Sequence, residues 1–225
     1  PLALVLVLIP IFKLTEVSFA VWPVVLLVDL LAIGLAVVTA SLLSVLAVLV
    51  LTLAATGALI FKIPETLTGL PMPLFLIGVF AVFFVVVGVW LTRKLKPEAL
   101  AGGFAFNESL AVPGNIAAQL PILSSVLPFL LLIMVTLRLP LANPSPVFGL
   151  ALLLVVLMLG LTRLYSIDWM PAVGLVCVAA LETTWHFNRF NPEEPVLALT
   201  WYLVFLAVFS VFPFVFLSKF SDKVV

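Results

Sequence analysis

The sequence predicts an all-α fold, a polytopic transmembrane helix bundle of about eight spans whose first span is truncated. Of the 225 residues, 65% are hydrophobic and only 9% are charged, whereas a soluble domain is about half apolar and about a quarter charged. Runs such as 150–161, LALLLVVLMLGL, are uniformly apolar and lack the alternation of barrel strands. Since lipid offers no hydrogen bonds to bare backbone, these runs are predicted to be helices.

The apolar segments are separated by short polar or proline-containing stretches. A helix needs about 20 residues to cross the hydrocarbon core, so the block 17–61 is divided into two spans near Thr39-Ala40-Ser41. The predicted spans are 2–12 (partial), 20–40, 42–61, 73–92, 121–138, 147–164, 169–187 and 196–217. Because the run after Pro1 is too short to span alone, we expect residues 1–225 to form one transmembrane domain within a larger membrane protein.

Proline-containing turns predict where helices begin. Ser145-Pro146 and Asn191-Pro192 each place a capping residue before a proline, whose missing N–H costs nothing in the first turn. Glu193 and Glu194 are interpreted as first-turn charges of the last helix, where the helix dipole favours them. The longest non-spanning segment, 97–120, is either a re-entrant segment lining a cavity or a cytoplasmic surface loop.

The distribution of basic residues predicts the orientation of the chain in the membrane. One side carries RKLK (93–96), Arg163 and the two C-terminal lysines, and we place that side in the cytoplasm of a bacterial inner membrane. The opposite side carries Lys13, Lys62, Arg138 and Arg189. Arg138 and Arg163 close spans and are expected to snorkel to head groups. The tryptophans fall near predicted span ends, as in an interfacial aromatic belt: Trp22, Trp90, Trp169, Trp185 and Trp201.

Charge and cysteine content exclude several classes of partner. The formal net charge is zero, whereas nucleic-acid binding favours a basic excess. The single cysteine, Cys177, excludes an intramolecular disulfide and a Cys-based zinc cluster, and it lies in an apolar run typical of an inert buried thiol. The sequence predicts the lipid bilayer and other transmembrane helices as partners. It predicts no cofactor and no metal site, because it has one histidine and no HExxH motif.

Three residues are candidates for chemistry, although none belongs to a specific motif. Asp29 sits near the middle of a span, either as a proton or cation relay or as a helix-paired residue that locks packing. Glu182 and His186 are spaced i, i+4, and Arg189 follows at i+7, so all three share one face if the helix continues. That face is either a general base with its imidazole or the polar end of a helix.

Four short elements carry a resemblance to a known family: Asn143-Pro144-Ser145-Pro146, Trp185-His186-Phe187, Asn191-Pro192 and Trp201-Tyr202. With them, residues 125–217 resemble the large uncharacterised family of bacterial predicted membrane proteins with very many helices, and 22–29 shows a weaker likeness. The resemblance implies a much longer parent chain and transfers no catalytic residue.

Three functions are compatible with these observations. A transport module predicts that Asp29 and Glu182 face one water-filled path. A membrane enzyme acting on a lipid-linked or envelope precursor predicts a carboxylate base at the outer level, near Glu182, His186, Glu193 and Glu194. A structural subunit predicts that the polar groups only pair with one another. Transport or a scaffold role in the envelope is slightly favoured over an enzyme.

Overall fold

The computed structural model describes residues 21–39, 42–62, 70–94, 116–165, 169–190, 192 and 195–215. Within these ranges the regular structure consists of seven α-helices without any strand. They are α1 Val21–Thr39, α2 Leu42–Lys62, α3 Pro71–Lys94, α4 Ile116–Arg138, α5 Ser145–Tyr165, α6 Met170–Arg189 and α7 Pro195–Val215. The all-α prediction is confirmed for the described part of the chain.

Five of the described helices are long and apolar enough to cross a membrane. Their apolar stretches are Val45–Lys62, Pro71–Leu91, Ser145–Tyr165, Met170–Arg189 and Pro195–Val215. Helices α1 and α4 contribute shorter apolar stretches, Val21–Leu35 and Ile122–Arg138. These lengths indicate a multi-pass protein, but the predicted count of about eight spans is not confirmed. The predicted partial span 2–12 lies outside the described residues.

One helix begins well before its predicted position, and the last helix begins within one residue of it. Helix α4 begins at Ile116 rather than at 121, because a proline such as Pro121 is tolerated inside a membrane helix. Residues 116–120 of the segment 97–120 are therefore helical, and its other residues lie outside the described ranges. Helix α7 begins at Pro195 without an acidic residue in its first turn. Pro195 itself is suited to the first position, and the predicted first-turn charges Glu193 and Glu194 lie outside the described residues.

Helix α4 lies at the centre of the bundle and packs against α2, α3, α5 and α6. Helix α1 packs on α2, and α7 packs on α5 and α6. The side chains of Phe84, Phe129 and Phe148, from α3, α4 and α5, are fully buried. Burial falls toward the last two helices, since 56% of Val45–Lys62 is buried but only 17% of Pro195–Val215. The peripheral helix α7 therefore leaves most of its apolar surface to the surroundings of the bundle.

Two of the tryptophans are exposed and two others are buried. Trp90 and Trp169 are 46% and 44% exposed, near the ends of their helices. Trp22 and Trp185 are each only 2% exposed, and Trp22 packs edge-to-face on Phe80 with ring centroids 6.0 Å apart. The interfacial-belt prediction is wrong for these two residues, because their large rings fill space between helices instead of facing head groups.

A buried polar contact joins the first two described helices. Asp29 of α1 is fully buried. The Thr52 hydroxyl oxygen of α2 lies 3.0 Å from each carboxylate oxygen of Asp29 and donates to the carboxylate. The Thr56 hydroxyl, one turn further, donates to the Thr52 backbone carbonyl at 2.9 Å. The geometry around Asp29 is that of a contact between paired helices.

Replacing Thr52 with valine tests this contact. The T52V variant keeps the shape of the side chain but leaves the buried carboxylate without its donor, so the free energy of unfolding is expected to fall by about 1–3 kcal/mol. The matched control is T56V, which loses only a hydrogen bond within its own helix and should change stability by less than about 0.5 kcal/mol. Denaturant titration of the purified chain in detergent micelles measures both. Equal losses in the two variants would show that the Thr52–Asp29 bond does not stabilise the bundle.

Candidate functional site

The connection between α4 and α5, residues 139–144, forms a compact turn. The Leu139 N–H donates to the Val135 carbonyl at 2.9 Å, and the Leu141 N–H donates to the Leu139 carbonyl at 2.9 Å. The Asn143 side-chain oxygen accepts the Ser145 N–H at 2.9 Å, a turn typical of asparagine before a helix. The Ser145 hydroxyl, predicted as a helix cap, accepts a hydrogen bond from the Trp201 indole N–H.

Two indole groups attach α6 and α7 to this turn. The Trp185 indole N–H of α6 donates to the Leu141 carbonyl at 2.9 Å. The Trp201 indole N–H of α7 donates to the Ser145 hydroxyl oxygen at 3.1 Å. Both rings also pack edge-to-face on Phe148, with centroid distances of 5.7 and 5.9 Å. The end of α6 and the start of α7 are therefore held at one end of the bundle.

His186 is exposed and contacts α7 through Tyr202. The His186 Nδ1 atom and the Tyr202 hydroxyl oxygen lie 3.0 Å apart, within hydrogen-bonding distance. The imidazole stacks on Phe190 with a centroid distance of 4.6 Å and an angle of 20° between the rings. The hydrogen-bond partner of the imidazole is thus Tyr202, rather than the carboxylate of Glu182 one turn earlier.

Glu182 is half-buried on the same face of α6 as His186. Its Oε1 atom is buried and has no hydrogen-bond partner among the described residues. His186 lies one turn later on this face and is paired with the Tyr202 hydroxyl. The structure therefore brings together Glu182, His186 and Tyr202, which we call the α6–α7 cluster.

Arg189 makes its hydrogen bond with a different helix. Helix α6 does extend to Arg189, but the guanidinium Nη2 atom donates to the Leu137 carbonyl of α4 at 3.0 Å. The last turn of α6 also has its own contacts, since the Asn188 amide donates to the Thr184 carbonyl at 2.7 Å. Part of the polar stretch therefore makes contacts of the helix end, as the alternative interpretation of this stretch predicted.

Asp29 lies apart from this cluster, between α1 and α2. Two apolar cavities are open at the bundle surface, one of about 530 Å³ between α5 and α7 and one of about 440 Å³ between α2 and α4. Their linings include neither Asp29 nor Glu182 nor His186. Among the described residues, no group of three or more His, Cys, Asp or Glu side chains could hold a metal ion.

Other candidates of the sequence analysis have these positions. Glu193 and Glu194 lie outside the described residues. Cys177 is a free thiol and is half-buried rather than buried, because α6 lies at the edge of the bundle. Arg138 is half-buried and Arg163 is exposed.

Sequence reasoning missed Thr52 and Tyr202, the two partners of its candidate residues. Nothing in the run around Thr52 pairs it with Asp29, since the contact depends on how α1 and α2 dock. Tyr202 could have been found from position alone. It lies seven residues after the start of α7, and Glu182 lies seven before the end of α6, so adjacent antiparallel helices place them at one level.

No family model, curated protein or solved structure matches the sequence. The class of protein therefore follows from the fold, whose apolar helices suit a lipid bilayer. The chain is a helical protein of multi-pass membrane type, with a small polar cluster between α6 and α7.

Two tryptophan variants test whether the Trp185 side chain stabilises the packing of α6 on the α4–α5 turn. W185F removes the indole N–H from the Leu141 carbonyl and leaves a gap beside Phe148, so the free energy of unfolding should fall by about 2 kcal/mol or more. W169F changes an exposed ring at the residue that precedes the same helix and should cost less than about 0.5 kcal/mol. Unfolding in detergent micelles, followed by circular dichroism, compares them. A W185F protein as stable as W169F would contradict the assigned role of Trp185.

Proposed function

We propose that the chain is a structural module of a membrane assembly, a helix bundle with a scaffold role in the bacterial cell envelope. The resemblance of residues 125–217 to a family of many-helix bacterial membrane proteins supports this setting and the bacterial inner membrane as its location. In this orientation RKLK (93–96) and the C-terminus lie in the cytoplasm, and the α6–α7 cluster faces outward.

The observation that carries the scaffold role is that several interior polar groups bond to one another or to the backbone, although the buried Trp22 indole N–H and the Glu182 Oε1 atom have no hydrogen-bond partner among the described residues. Thr52 donates to Asp29 between two helices, and Trp185 donates to Leu141 across α6 and the α4–α5 turn. Buried threonines of α4 and α5, Thr136 and Thr162, donate to backbone carbonyls of their own helices at 2.8 and 3.0 Å. Such contacts stabilise one packing arrangement and leave few polar groups to line a path.

The surfaces of the bundle support the same proposal over transport. A transport path for ions needs polar groups near the membrane midplane. The two cavities are instead lined by apolar side chains, with glycines such as Gly160 and Gly57 among them. Helix α7, with only 17% of its residues buried, offers a broad apolar face. A scaffold uses such faces to contact lipid and other transmembrane helices.

Proton flux distinguishes a scaffold from a transporter. The purified chain is reconstituted into liposomes that contain a pH-sensitive dye, and a potassium diffusion potential is applied with valinomycin. We expect proton uptake equal to that of protein-free liposomes, because the apolar cavities described above include neither Asp29 nor Glu182. Addition of a protonophore is the positive control. Uptake above the protein-free level that is lost in D29N or E182Q would replace the scaffold proposal with transport.

A second candidate is a membrane-embedded enzyme acting on a lipid-linked or envelope precursor. It is favoured by one observation, the Glu182 carboxylate that has an unpartnered oxygen beside the His186–Tyr202 pair. In that case His186 and Glu182 are the proton-transferring groups, and Tyr202 positions the imidazole.

Water access tests this second candidate. In a C177A background, single cysteines replace His186, Asn188 or Asp29, and a membrane-impermeant thiol reagent is applied. Labelling is expected at 186 and 188, which are exposed at the end of α6, and not at 29, which is buried. Labelling at 188 without labelling at 186 would exclude His186 as a base for a polar substrate, because water would not reach it.

A further inference from the structure

We propose that the α6–α7 cluster binds a primary ammonium group, carried by a lipid head group or by a small soluble amine. This site goes beyond the scaffold role and does not depend on it. Three features support this site. They are the depth of the three side chains in the bundle, the lack of a positively charged partner for Glu182, and the hydrogen-bond acceptors of the His186–Tyr202 pair.

Glu182 and Tyr202 lie at the same depth on neighbouring helices. Glu182 is seven residues before the end of α6, Tyr202 is seven residues after the start of α7, and the two helices pack together. At 1.5 Å per residue, both side chains start about 10 Å from the helix ends. His186 lies nearer the end and is exposed. His186 is therefore the side chain of the cluster nearest to the end of the bundle, the level at which a span of this length meets the head groups.

The carboxylate of Glu182 lacks a positive partner in the described part of the chain. Its Oε1 atom has no hydrogen-bond partner, and the guanidinium of Arg189 donates to the Leu137 carbonyl instead. Residues 195–215 of the adjacent helix contain no charged side chain. A carboxylate that is partly removed from water is stabilised by a cation with hydrogen-bond donors. This property favours an ammonium group and disfavours an anionic ligand.

The His186–Tyr202 pair supplies a second acceptor. When the imidazole proton is on Nε2, Nδ1 accepts the Tyr202 O–H, and the phenol oxygen keeps lone pairs for a ligand N–H. A primary ammonium group has three N–H donors, enough to engage the carboxylate, the phenol oxygen and water together. The rings of Tyr202 and the exposed Phe187 add faces that attract cations. A quaternary ammonium group has no N–H donor and should bind less tightly.

Lipid selectivity is the test of this proposal. The full chain is purified in detergent, and native mass spectrometry measures binding of phosphatidylethanolamine, phosphatidylcholine and phosphatidylglycerol with identical acyl chains. We expect phosphatidylethanolamine to bind about tenfold or more tightly than the other two, since a hydrogen bond to a charged group has about this effect. E182Q and Y202F should each abolish the preference. The matched control T200V alters an exposed threonine that donates only to Val196 of its own helix, and should keep it.

A second arm separates the two sources of the ammonium group. Ethanolamine is titrated into the protein together with phosphatidylglycerol alone. Binding that E182Q removes, without any lipid preference, supports a soluble amine, whereas a lipid preference without ethanolamine binding supports a head group. The proposal is overturned if wild type binds the three lipids equally and does not bind ethanolamine, or if the preference persists in E182Q. The wild-type comparison stands even if a variant fails to fold, and it is independent of the proton-flux result.

Discussion

The hydrogen bond from the Trp185 indole to the Leu141 carbonyl positions much of the structure around the α6–α7 cluster. It satisfies a backbone carbonyl in the α4–α5 turn, which lies outside the regular hydrogen bonding of the helices. The same ring packs on Phe148, which also receives Trp201 of α7. Helix α7 has few other contacts, since it packs only on α5 and α6 to a substantial extent among the described helices. The distance between His186 and Tyr202 therefore depends on where Trp185 sits.

The two carboxylates inside the described helices show how packing decides the role of the same chemical group. Asp29 is enclosed between α1 and α2 and receives the Thr52 hydroxyl on both oxygens. Glu182 lies on the peripheral helix α6, half-buried, with one oxygen unpartnered. An enclosed carboxylate with a donor favours a fixed contact between helices, whereas a half-buried carboxylate with an unpartnered oxygen favours a ligand that supplies a donor. This difference separates the scaffold role from the proposed ammonium site, although both occur in one bundle.

Three of the short polar and aromatic elements singled out in the sequence meet at one end of the structure. Asn143 and Ser145 form the α4–α5 turn, Trp185 and His186 end α6, and Trp201 and Tyr202 begin α7. In the chain they are up to about 60 residues apart, yet hydrogen bonds join Trp185 to the turn and Trp201 to Ser145. Their arrangement explains physically why turns and aromatic pairs occur in this part of the sequence.

The sequence by itself determined the all-α class and the places of the apolar helices, because hydropathy over some 20 residues depends on the chain alone. It also identified Asp29, Glu182 and His186, since polar groups stand out in apolar runs. Only the tertiary structure decided their partners, Thr52 for Asp29 and Tyr202 for His186. Only the tertiary structure shows that the Trp22 and Trp185 side chains are buried in the bundle. It also shows that the Arg189 guanidinium donates to the Leu137 carbonyl. The physical reason is that a uniformly apolar helix has almost no polar face to fix its rotation about its own axis. Which side of each helix faces the interior is therefore decided by packing between helices.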